Sequence, residues 1–130
     1  MAWTTPTGIL LAVLLALAAA ACSTKEPVLT YKDDIAPIMA QHCVECHSAG
    51  NMGAIVSGFD AGSYEKMMKG TKHGLMINPG SAESSPLYLL ASGSAAPVIQ
   101  MKHRNVSPGP EQIETIKLWI DQGAVYLNEK

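Results

Sequence analysis

Two cysteines three positions apart, with a histidine directly after the second, are the residues of this chain best suited to chemistry: Cys43-Val44-Glu45-Cys46-His47. Thiols one helical turn apart can each add to one of the two vinyl groups of an iron porphyrin. A histidine at the next position then projects toward the iron as an imidazole ligand, which is the attachment pattern of a c-type haem. The same residues admit other readings. Zinc takes four N or S ligands in a tetrahedron, yet no second cysteine pair is present, and a mixed site would have to recruit from His42, His47, His73 and His103 at spacings unlike a compact finger. A redox-active dithiol of the thioredoxin kind calls for a βαβ setting, and no strand alternation accompanies these residues. A chance alignment is the fourth reading. Haem attachment also needs export from the cytoplasm, and a second feature of the sequence supplies that.

Ile9 to Ala21 is an unbroken run of apolar and small residues, with Cys22 directly after it. Thirteen residues are too few to span a bilayer, which takes about 17–25. The length fits the apolar region of a secretory signal over residues 1–21, with small residues before the cleavage point. Cysteine at the junction resembles a bacterial lipoprotein signal, in which Cys22 is acylated and becomes the first residue; Ala19 stands where such signals carry Leu, and no Lys or Arg precedes Ile9. Lipid on Cys22 would hold the protein at a membrane surface, since two acyl chains give stable anchoring. The expected location is exported and periplasm-facing; Ser23, by resemblance to sorting patterns, favours the outer membrane. Residues 22–30 form a short polar tether.

All 9 basic and 11 acidic side chains lie in the 109 residues after position 21, for a net charge of -2. That balance gives no basic footprint for nucleic acid. Phe59 is the only phenylalanine, and one of the two tryptophans lies in the signal. A domain this small buries roughly 60–68% of its unfolded surface, so a large apolar cofactor would supply missing core.

The elements that must position the motif read as helices. Asp33 to Cys46 is a helix with Asp33 or Asp34 as cap and Pro37 near its first turn. Residues 48–62, rich in glycine, read as loop, with Ala54 to Val56 briefly extended. Ser63 to Lys69 is a short helix closed by Gly70, and Ser85-Pro86 opens another that ends at Gly93. Pro110 starts the clearest helix, with Ile113, Ile116, Trp119 and Ile120 in one sector and Gly123 as its stop. The chain between Pro97 and Pro108 reads as irregular. The fold class is all-α, with four or five short helices and no sheet, and residues 31–130 make one domain.

A proximal histidine leaves the opposite iron face to be filled, and the group that fills it decides the function. Methionine there raises the potential, histidine lowers it, and an open face admits small ligands. Met52, Met67, Met68, Met76 and Met101 are candidates. Met101 leads because its segment can wrap the far side of a haem, and His103 two residues on could replace it. His42 reads as a helix-surface or haem-edge side chain and His73 as solvent-facing. Tyr64, Tyr88, Lys72, Lys102 and Arg104 are conceivable partners of the haem edge.

Four separated stretches, DDIAPIMAQHCVECH, SGFDAGSYEKMMKG, INPGSAESSPLYLLASG and GPEQIETIKLWIDQGA, resemble in order the monohaem cytochrome c domain of the planctomycete type. The likeness covers about residues 31–125. It implies a class-I-like cytochrome c fold, with an N-terminal helix leading into the motif and a C-terminal helix crossing it. It also implies Cys43 and Cys46 as attachment residues, His47 as proximal ligand and Met101 as distal ligand. The family's proline after that methionine is replaced here by Lys102-His103. The expected function is electron transfer through one covalent haem c, without catalysis, to transient redox protein partners. A haem enzyme or gas-ligand sensor with an open sixth position is the alternative, as is a structural haem-bearing subunit of a larger complex.

Overall fold

The computed structural model describes residues 26–127, so the expected signal over 1–21 and the lipid site at Cys22 lie outside the described residues. Thr30 starts the first helical element, and it does so by a reciprocal pair of bonds. Its hydroxyl accepts from the Asp33 N–H at 3.2 Å, and its own N–H donates to the Asp34 carboxylate at 2.7 Å. The two aspartates expected to cap are thus inside the first turn, where carboxylates favour the positive end of the helix. That turn, Tyr31–Ile35, is π-helical, and it runs into α1 at Ala36–His42. Pro37 explains the wide turn: its ring would clash with the carbonyl four residues back in a regular α-helix.

Five further α-helices follow among the described residues: α2 Met52–Ser57, α3 Tyr64–Met68, α4 Pro86–Ala91, α5 Pro97–Lys102 and α6 Pro110–Asp121. A 3-10 turn at Ala82–Ser84 precedes α4. The fold is all-α; the only extended pairing among the described residues is an isolated bridge between Thr71 and Gly74. Six α-helices replace the expected four or five, because α2 and α5 form where the sequence reads as loop. Gly58 stops α2 with a left-handed φ of 79°, which glycine adopts without a Cβ penalty. Pro97 opens α5 at a position where its missing N–H costs nothing.

The core lies between α1 and α6. Ile35, Ile38 and Met39 from the first element meet Ile116, Trp119 and Ile120 from α6, with Phe59, Met67, Ile77 and Leu87 closing the sides. The helices run antiparallel, since their contacts pair the start of one with the end of the other. At one pole the Trp119 indole donates to the Val125 carbonyl at 2.9 Å, which also accepts from the Tyr31 N–H at 2.9 Å. Tyr31, Tyr64, Tyr126 and Trp119 gather there, with ring centres 5.3–6.3 Å apart. At the other pole Gln112 ties α1 to α6: its carbonyl accepts from His42 Nε2 and from the Gly109 N–H, both at 3.0 Å, and its amide donates to Gln41 at 2.9 Å. Four of the six Phe, Tyr and Trp side chains among the described residues are therefore gathered at the pole away from the cysteine motif, while Phe59 packs against His47.

Candidate functional site

The cysteine motif continues the turn of α1 beyond its formal end. The N–H groups of Cys43 and Val44 both donate to the Met39 carbonyl, and that of His47 donates to the Cys43 carbonyl at 2.9 Å. Asn51 then locks the following loop, donating to the Glu45 carbonyl at 2.7 Å and the Ser48 hydroxyl at 2.8 Å. The cysteines are unpaired, Cys43 half-buried and Cys46 exposed. Burial, with a smaller effect from Cys46, pushes the Cys43 thiol up to about 11, so this sulfur is a neutral S–H at neutral pH.

Cys43 and His47 stand on the wall of a cavity of about 410 Å³, inside the range of roughly 300–1,000 Å³ usual for small-molecule and cofactor sites. Its walls are largely aliphatic, with Leu75, Met76 and Leu87 among the contributors from the loop and α4. All four histidines of the chain also line it: His42, His47, His73 and His103. His42 is engaged with Gln112, and His73 is exposed, as the sequence led one to expect, while also bordering the opening. Cys46 is not on the wall.

His47 is oriented from behind. Its Nδ1 lies 3.3 Å from the Phe59 carbonyl, which can only accept, so Nδ1 carries the proton and Nε2 is left free. Ser57 holds the segment in place, donating to the Gly53 carbonyl at 2.6 Å, accepting from the Phe59 N–H at 3.0 Å and lying 3.5 Å from the imidazole. Burial lowers the His47 pKa, opposed by the Phe59 hydrogen bond and assisted by nearby His103. A neutral imidazole with its back nitrogen tied to a carbonyl is the form that ligates a metal. No residue-type signal in the sequence points to the Ser57–Phe59 buttress; it follows from α2, in a stretch whose glycines read as loop.

Met101 is placed differently from its expected position. It is 68% exposed and is not on the cavity wall. Ile99 and His103 do line the cavity; they are four residues apart, one helical turn, and Met101 midway between them faces away. The remaining methionine on the wall is Met76. The proposed haem-edge residues are otherwise occupied: Tyr64 donates to the Ala124 carbonyl at 2.9 Å, and Lys72 caps α2 by donating to the Ile55 carbonyl at 2.7 Å. Tyr88, Lys102 and Arg104 are not on the wall.

Among the described residues no group of three or more His, Cys, Asp or Glu side chains converges as a metal-binding set, so a tetrahedral zinc site through Cys43 and Cys46 finds no support. No helix among the described residues is long and apolar enough to cross a membrane. The chain matches no protein-family model, no curated protein and no solved structure.

Proposed function

We propose that this chain is a monohaem electron carrier with a class-I-like cytochrome c fold. The observation that carries the reading is the shared wall: Cys43 and His47 border one largely aliphatic cavity of about 410 Å³, to which Phe59 is the one Phe, Tyr or Trp side chain contributed among the described residues. The donor set fits a covalently held haem. The thiols of Cys43 and Cys46 have the spacing that would hold a porphyrin through its two vinyl groups. His47 would ligate through Nε2, its ring fixed by the Phe59 carbonyl. Iron in such a site supplies reversible one-electron exchange, while the protein fixes the ligands and sets the potential.

The surrounding residues do the rest. Leu87, Met76 and Phe59 exclude water from the interior side of the cavity, and the α1–α6 core holds the motif rigid, which keeps reorganisation small. Leu75 and Ile99, 53% and 42% exposed, sit on the wall at its outer side and mark where a redox partner would approach. Such encounters are small and transient. Lipid on Cys22 would confine the carrier to an exported membrane face.

The test is production of the exported protein in a host competent for haem attachment. Mature protein should be coloured, carry the porphyrin mass after denaturation, and undergo reversible one-electron reduction. Cys43→Ala/Cys46→Ala should lose the covalent mass. A colourless wild-type product of unmodified mass would refute the reading.

A further inference from the structure

His103 shares the cavity wall with His47 and lies beside it. The imidazoles of His47 and His103 stand with ring centres 6.0 Å apart and planes only 12° from parallel. A metal–imidazole bond is about 2.0 Å, and a five-membered ring with bonds of ~1.35 Å has a radius of ~1.15 Å. Two imidazoles facing one another across one metal therefore hold their centres about 6.3 Å apart. The observed separation is within a few tenths of an ångström of that value.

His103 is also prepared chemically in the way His47 is. Its Nδ1 lies 2.9 Å from the Ile99 carbonyl, an obligate acceptor, so this nitrogen is protonated and Nε2 is the free one. Two histidines on the same cavity wall, each with Nδ1 tied to a backbone carbonyl and each with Nε2 unbonded, form a matched pair. The competitors are weaker. His42 spends its Nε2 on Gln112 at 3.0 Å. Met101 is on the outer face of α5. Met76 borders the cavity but packs against the core, with its carbonyl fixed by the Leu87 N–H at 2.9 Å.

We propose that His103, not a methionine, is the sixth ligand, so that the haem is held between two imidazoles. This rests on the haem reading of the preceding section. It changes the working range of the carrier, since replacing a thioether by an imidazole lowers the potential.

The experiment uses the exported holoprotein and four variants, with covalent haem mass measured on each before any spectrum. The oxidised wild type should be low-spin and lack the far-red sulfur-to-iron charge-transfer band, and Met101→Ala and Met76→Ala should leave its spectrum unchanged. His103→Ala should keep the covalent haem, lose the six-coordinate low-spin signature, and bind carbon monoxide at least tenfold more tightly when reduced. Added imidazole should restore the wild-type spectrum. His103→Met, which retains a ligand and guards against simple misfolding, should gain the sulfur band and shift the potential upward. A sulfur band in the wild type that disappears in Met101→Ala or Met76→Ala overturns the assignment, as does an unaltered spectrum in His103→Ala. Wild-type protein with no covalent haem defeats the electron-carrier reading itself and this assignment with it; covalent haem with methionine ligation defeats only the assignment.

Discussion

Gly53 lies in the first turn of α2 and away from the cavity wall, yet a methyl group there should disturb His47. A Cβ built on it would stand 2.6 Å from the Cys46 carbonyl oxygen and 3.0 Å from His47 Cε1. Ordinary contacts to these atoms begin near 3.4 Å, so the carbonyl must retreat by about 0.8 Å and the ring edge by about 0.4 Å. Neither is free to do so cheaply. The carbonyl accepts the Ala54 N–H at 3.3 Å, and the ring is tied to Phe59. Two effects of opposite sign compete in Gly53→Ala. Alanine gains about 0.5–1 kcal/mol over glycine in a helix interior, whereas overpacking against backbone costs about 1–3 kcal/mol. The clash should win, for a net loss of about 1 kcal/mol and a fall in Tm of about 4–8 °C in a domain of this size. Urea unfolding measures the first number; the His47 Nδ1–H resonance reports the ring, as would the ligand-sensitive part of the absorption spectrum of the proposed haem protein. A variant that is more stable than wild type, with both signals unmoved, would show that the motif tolerates the methyl group and that the buttressing argument is mistaken.

Three further outcomes follow from the packing. Ser85 is fully buried, accepts from the Asn78 N–H and donates to the Ser81 carbonyl, both at 2.8 Å; Ser85→Ala strands the Asn78 donor and should cost about 1–2 kcal/mol by chemical denaturation. Trp119→Phe removes the bond to Val125 and leaves a void at a fully buried site, for about 2–3 kcal/mol of lost stability without a change in the cavity-side spectrum. Asp121 is held below the usual carboxylate range by Lys117 at 2.7 Å and by the Ala82 N–H at 2.8 Å. A depressed folded pKa gives stability that is complete above the unfolded value of about 3.9 and is lost as pH falls through the folded one. Acid titration of stability should therefore show a smaller drop below pH ~4 in Asp121→Asn than in wild type, by less than about 1 kcal/mol because the pair is partly solvated.

The helices that carry their own punctuation were legible in the sequence. Pro110 and Gly123 bracket α6 closely, with Gly123 at φ 104°, and Ser63 caps α3 by accepting from the Lys66 N–H at 3.3 Å. Ser85 and Pro86 place α4 correctly, although the Ser85 hydroxyl serves the Asn78 turn and makes no bond to its own helix. What escaped were the elements whose stability comes from tertiary contact. Helix α2 is six residues with a glycine inside and no buried side chain, and it survives through Ser57, Lys72 and Gly58. Helix α5 likewise buries nothing fully, and its composition reads as loop. That omission mattered for the site. With the chain between Pro97 and Pro108 read as irregular, Met101 leads and His103 is its alternative; helical geometry distinguishes them, leaving Met101 exposed and His103 on the cavity wall with His47.

The stitching of the entering chain to the end of α6 has a mechanical consequence. Gln122 grips the approach to the first helix from both sides, accepting from the Leu29 N–H at 2.8 Å and donating to the Pro27 carbonyl at 3.1 Å. Pro27 and Leu29 are thus clamped at the end of α6, and the twelve residues from Tyr31 to His42 stand between that clamp and the cysteines, roughly 16 Å of helix. Tension applied at Pro27 and Leu29 would fall first on their bonds to Gln122 at the end of α6. A grip on the molecule at Pro27 and Leu29 is therefore a grip at the far end of the first helix from Cys43 and His47.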